Sequence, residues 1–233
     1  MKFKVEKEIF EKFEPLKVGI VVCKNINNKV TSKEISKEFT KEKEDVLKRF
    51  EGVELSEYPI FRRWRDIYKS FGEKKNRCSV EALIRRTING KEIPEINPLV
   101  DIYNTASIKF ELPCGGEDLI KVYDDIELTI ANGKEKFLPL GEEEVVNPEP
   151  GEIVYKSGNT ILCGKFNYRE SDITKLTEDT KDAVLVVESS LKEDDEKLEE
   201  MLTYLAQNVE KYLGAKCQMC ILDKENSEKE IDF

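Results

Sequence analysis

Six short apolar or alternating runs fill the second half of the chain, and they constrain its fold more than any other feature. They are DDIELTIA (124–131), KFLPL (136–140), EIVYKSG (152–158), NTILCGKF (159–166), AVLVVES (183–189) and KCQMCIL (216–222). Runs of this length predict strands. Asn-Gly, Gly-Glu, Asn-Pro-Glu-Pro-Gly and Ser-Gly-Asn punctuate them as turns, and YKSGNTIL predicts a hairpin. Strands joined by turns rather than by helices predict an antiparallel sheet with a barrel-like core, not βαβ units. Residues 2–5 and 16–24 predict two further strands around an acidic helical turn. Helices are expected over 33–50 and 57–71. The second has an aromatic stripe (Phe61, Trp64, Tyr68, Phe71) assigned to packing. A long helix over 191–213 interrupts the strands and stops at Gly214, and DKENSEKEIDF predicts a frayed tail. The expected fold class is α+β, a single domain over 1–233 with helices decorating an antiparallel core.

Between the two halves lies the segment from Arg77 to Asp118. Ser79 predicts a helix N-cap, with Glu81 in the first turn and Val80, Leu83, Ile84 and Ile88 on one buried face. Asn97-Pro98 predicts a second helix start. From there Asn97, Asp101 and Asn104 recur at i, i+4 and i+7, surrounded by Leu99, Val100, Ile102 and Tyr103. A polar row in apolar surroundings requires internal hydrogen bonds or a ligand. Asn97 reads as a cap and Asp101 as a structural carboxylate or a substrate contact, which leaves Asn104 facing a ligand. Pro113-Cys114-Gly115-Gly116 predicts a turn whose backbone approaches a ligand closely.

The chain can bury a core, with 39% hydrophobic residues. No apolar run approaches membrane-spanning length, and the N-terminal MKFKVEKEIF alternates charge with hydrophobe, so a cytoplasmic protein with no membrane partner is expected. The six cysteines read as free thiols. Cys217 and Cys220 fall on opposite faces of a strand, which argues against a metal or redox motif. The chain has no histidine, which removes Ser-His and Cys-His catalysis, and neither metal nor cofactor is expected. Net charge is -10, yet residues 61–90 contain nine basic residues against three acids, and six of the eight arginines. Such a patch suits phosphate or carboxylate recognition, or else a set of helix faces laced with salt bridges.

The order of motifs resembles the editing domain of the bacterial phenylalanyl-tRNA synthetase beta subunit, and more closely its free-standing relatives. The residues that carry it are Arg77-x-Ser79-x-Glu81 with Arg85-Arg86, Asn97-Pro98-Leu99-Val100-Asp101 with Asn104 and Ser107, and Pro113-x-Gly115-Gly116-x-Asp118. Gly151-Glu152-x-Val154-Tyr155, Phe166-Asn167-x-Arg169 and Thr180 leading to Glu188 continue it. It covers about residues 58–190. The resemblance implies a pocket for the aminoacyl ester of a mischarged tRNA and hydrolysis of that ester in trans by a positioned water, without aminoacylation. It places Asn104 and Asn167 on the pocket wall and Glu188 as a reader of the amino-acid side chain. The pattern's histidine is replaced here by Gly115. In chemical terms Gly115 and Gly116 would offer N–H groups to an oxyanion, Asn104 and Asn167 would orient water or carbonyl, and Glu188 and Asp101 would contact substrate. Arg85, Arg86 and Arg169 would hold phosphates of the tRNA end. The alternative is a binding module that keeps the pocket without the chemistry.

Overall fold

The computed structural model describes residues 1–231. Strands β1 (Lys2–Val5) and β2 (Lys17–Lys24) flank helix α1 (Lys7–Lys12). Helices α2 (Lys33–Arg49), α3 (Pro59–Ser70), α4 (Ser79–Ile88) and α5 (Pro98–Phe110) follow in succession. Then come β3 (Cys114–Asp118), β4 (Ile126–Ile130), β5 (Ile153–Ser157), β6 (Thr160–Gly164), β7 (Arg169–Glu170) and β8 (Ala183–Ser189). Helix α6 (Asp195–Leu213) and strands β9 (Lys216–Leu222) and β10 (Glu228–Glu230) complete the order. The fold is α+β. Among the described residues no helix is long and apolar enough to cross a membrane.

The strands form two open sheets, ordered β10-β1-β4-β5-β6-β7 and β3-β8-β2-β9, where a barrel-like core was expected. All pairings are antiparallel except β1 with β4. Helix α6 lies across β2 at Gly19, where an added Cβ would come within 2.9 Å of Leu198 and Leu202.

Four local expectations are corrected. KFLPL forms only isolated bridges, Lys136 with Thr160, Phe137 with Val146 and Pro139 with Ser171, because Pro139 cannot donate to a ladder. The C-terminal segment is not frayed as far as residue 231, since Glu228–Glu230 pairs with Lys2–Lys4, and its last two residues lie outside the described residues. Helix α4 is capped at Cys78, and the Ser79 hydroxyl is buried inside the first turn without a hydrogen-bond partner. Gly115-Gly116 is not a turn but the middle of β3, opposite Val186 and Leu185. Glycine is required there by space rather than by φ, since a Cβ on Gly116 would sit 2.7 Å from Leu185 Cδ2 and 3.1 Å from the Val184 carbonyl. The two cysteines of β9 are only half-buried, and Cys217 lies opposite Cys23, Sγ to Sγ 3.3 Å.

Phe166 joins the aromatic stripe of α3 to the sheets. Its ring is fully buried, 5.1 Å from Trp64, 6.0 Å from Phe13 and 6.3 Å from Tyr155, in edge-on contacts. Lys165 and Phe166 both adopt left-handed backbone, φ 54 and 64, a conformation that costs L-residues roughly 1–2 kcal/mol each. Burial of the ring and a Phe166 N–H to Ile153 O hydrogen bond of 2.6 Å keep it there. Replacing Phe166 with Ala should lower stability in denaturant melts by about 3–5 kcal/mol. A loss below about 1 kcal/mol would show that the ring does not organise this junction.

Candidate functional site

A hollow lies where the two sheets face each other. Phe3, Ile126, Tyr155, Leu162, Cys163 and Glu170 line it from the six-stranded sheet, and Asn167 from the β6–β7 connection. Cys114, Gly115, Gly116, Glu117, Val186 and Glu188 line it from the four-stranded sheet. Its cavity volume is about 30 Å³, room for about two waters.

Glu188 is the centre of a hydrogen-bond chain. Tyr155 Oη donates to its Oε1 at 2.8 Å, and Asn167 Nδ2 donates to its Oε2 at 3.3 Å. Tyr68 Oη, from α3, donates to Asn167 Oδ1 at 2.6 Å and so fixes which way that amide faces. Burial pushes the Glu188 carboxyl up to about 8, against the lowering effect of its two donors, and Glu170 adds to the rise. At neutral pH Glu188 is therefore a carboxylic acid. Its oxygens accept from Tyr155 and Asn167, and its proton remains to be donated.

The strand geometry divides the glycine pair. The Glu188 N–H donates to Pro113 O, so in the antiparallel alternation Pro113, Gly115 and Glu117 face β8 with their hydrogen-bonding groups. The Gly116 N–H points the other way, as does that of Asp118, which donates to Thr174 O at 2.9 Å. Of the two backbone donors, Gly116 is the one directed off the ladder.

Gly115, Gly116, Asn167 and Glu188 thus meet at one hollow. Asn104, buried on α5, is not among its lining residues. Asp101 lies in a separate surface depression with Ser32 and Glu95. Its Oδ1 accepts from Ile96 N at 3.1 Å, and burial pushes it up to about 6. Asn97 caps α5 through Val100 N and also accepts from Asn28 Nδ2 at 2.9 Å. The arginines are engaged elsewhere in the fold. Arg85 pairs with fully buried Glu81 at 2.8 Å, alongside Arg65 and Arg77. Arg86 donates to Glu92 O, and Arg169 to Leu140 O and Glu142.

Four site residues escaped the sequence reading: Tyr68, Tyr155, Glu117 and Glu170. Tyr68 looks like any member of an aromatic stripe, since nothing in its spacing shows where the hydroxyl ends. Glu117 shares a strand face with Gly115, a signal that was readable. Its neighbour Glu170 comes from the other sheet and was not.

The folded state holds a proton on Glu188 that the unfolded chain, titrating near 4.5, releases. This stabilisation is complete below about pH 4.5 and is lost as pH rises toward about 8. Stability of the protein should decline across that window, and Glu188→Gln should flatten the decline in urea melts taken from pH 5 to 8. An unchanged slope would refute the assignment. In comparison with known proteins, the chain is 32% identical over 88 residues to a phenylalanine–tRNA ligase beta subunit from Shewanella oneidensis, covering 37% of this chain and 11% of that one. The chain thus spans about a tenth of that relative's length. A solved N-terminal fragment of the phenylalanyl-tRNA synthetase beta subunit from Pyrococcus horikoshii is similar over 91% of this chain and 49% of that one, with TM-score 0.48 and 14% identity. The model of the B3/4 domain matches residues 63–214, and the chain belongs to that family.

Proposed function

We propose that this protein hydrolyses, in trans, the ester that joins an amino acid to the 3′ end of a mischarged tRNA. The observation that supports this reading is the meeting of Gly116, Asn167 and Glu188 around one partly enclosed hollow, built from two sheets. Ester hydrolysis needs a positioned water and donors aimed at the developing oxyanion, and no protein nucleophile. The hollow has room for the attacking water. The Gly116 N–H and the Asn167 amide are the donors for the ester oxygen. Glu188, protonated at neutral pH, donates to a hydroxyl or carbonyl of the amino-acid moiety.

The RNA contact is assigned to the outer side of α3. Arg62, Arg65, Lys69, Lys74, Lys75 and Arg77 line one groove there with only Glu57 and Asp66 as acids. Arg62, Lys74 and Lys75 have no ionic partner among the described residues, so they are free to neutralise phosphates. Arg85, Arg86 and Arg169 contribute only by exchanging the partners they already have.

A panel of mischarged tRNAs tests the reading. At least one should lose its amino acid faster than in buffer, with multiple turnovers. Asn167→Ala should slow that reaction by about 10²-fold or more, the usual effect of losing one oxyanion donor. Asn104→Ala should have the smaller effect, since Asn104 does not line the hollow. Saturable tRNA binding without turnover would replace the hydrolase by a binding module.

A further inference from the structure

Two carboxyl groups of the hollow take no part in the Glu188 chain. Glu117 is 6% exposed and extends from β3 on the same face as Gly115. Glu170 arrives from β7, in the opposite sheet, and fills the space that any side chain at position 115 would need: a Cβ there would collide with its Oε1. Both groups line the hollow, and each has one buried carboxyl oxygen, Oε2, with no hydrogen-bond partner. An unpaired buried carboxylate is costly, and two adjacent ones cannot both be ionised without strong repulsion. The pair must share a proton or contact a ligand.

We propose that Glu117 and Glu170 form the acid–base pair of this site, one carboxylate taking a proton from the attacking water while its protonated partner returns one to the leaving ribose oxygen. The assignment rests on the deacylase reading. In the first step a water O–H bond breaks, its proton goes to the pair, and the new C–O bond forms at the ester carbonyl, which becomes an oxyanion. In the second the oxyanion collapses, the bond from carbonyl carbon to ribose oxygen breaks, and the pair gives that oxygen a proton. The pair returns to one proton, and one water has been consumed per ester cleaved.

The surroundings favour the singly protonated state. Burial pushes Glu170 up to about 7, and burial and then Glu170 push Glu117 well above the ordinary carboxylate range. The other titratable groups facing the pair are Asp118 and Cys114 on β3, Cys163 on β6, Tyr155 on β5, Tyr103 on α5 and Glu188 on β8. Two cations on neighbouring segments are committed elsewhere, Lys121 to Asp118 at 3.5 Å and Arg169 to Glu142 at 3.1 Å. No compensating positive charge forces both groups to ionise. The pair titrates as a unit, and its first proton leaves near neutrality.

The test is deacylation by E117Q and E170Q across pH 5.5–8.5, on a tRNA that the wild-type protein clears. The expected result is a fall in kcat of about 10²–10⁴-fold with KM changed less than about threefold, the usual span for general acid–base catalysis. Wild-type kcat should rise with pH through about 7, and each variant should lose that rise. E170D should recover part of the rate. A cooperative thermal melt of each variant separates lost chemistry from lost folding. If a variant does not fold, a wild-type kcat that is flat across this range overturns the pair. Folded variants with wild-type kcat overturn the pair and leave the deacylase reading standing. A wild-type protein that clears no tRNA overturns both.

Discussion

The buried carboxyl of Glu188 is the constraint around which the two sheets meet. It sits on β8, in the four-stranded sheet, and accepts from Tyr155 on β5 of the six-stranded sheet and from Asn167 on the connection after β6. A carboxyl buried at this depth is tolerated because it is both hydrogen-bonded and protonated. The same contacts fix the distance between the sheets and the width of the hollow between them. Tyr68 extends the chain to α3, so the helix bearing the basic groove is tied through one hydrogen bond to a residue of the hollow.

Charge in this fold is divided between bracing and exposure. Glu81 is fully buried, and Arg65, Arg77 and Arg85 surround it, tying α3 to α4. Removing one partner from such a buried cluster costs far more than breaking a surface pair. Half of the arginine concentration in residues 61–90 is therefore used to hold the helices together. The remaining free cations, on the outer side of α3 and in the segment after it, are those with no such duty. The salt-bridge reading of the patch holds for these three arginines, and burial decides which residues serve it.

Much of the framework was legible in the sequence, because periodicity and turn chemistry act locally. The Asn97-Pro98 cap, the stop at Gly214 and the strands around Ile153–Gly164 follow from residues adjacent in the chain. The misreadings share one cause. Gly115-Gly116 looks like a turn until Leu185 and Glu170 are known to crowd both of its faces. The C-terminal segment looks frayed until the edge of β1 is there to receive it. Each depends on a neighbour distant in sequence, which local pattern does not encode. The hollow behaves in the same way: Gly115, Gly116, Asn167 and Glu188 line it while Asn104 and Asp101 do not, and the tyrosines and glutamates around it come from elements whose packing only the fold reveals.

The proposed activity requires that the hollow between the sheets receive the aminoacyl end of an RNA. The most direct measurement is an NMR titration with 3′-aminoacylamido-adenosine, whose amide link resists hydrolysis. The backbone amide of Gly116 and the side-chain amide of Asn167 should shift together and saturate, and Glu188→Gln should weaken that binding. Saturating shifts confined to other surfaces, or none at all, would contradict it.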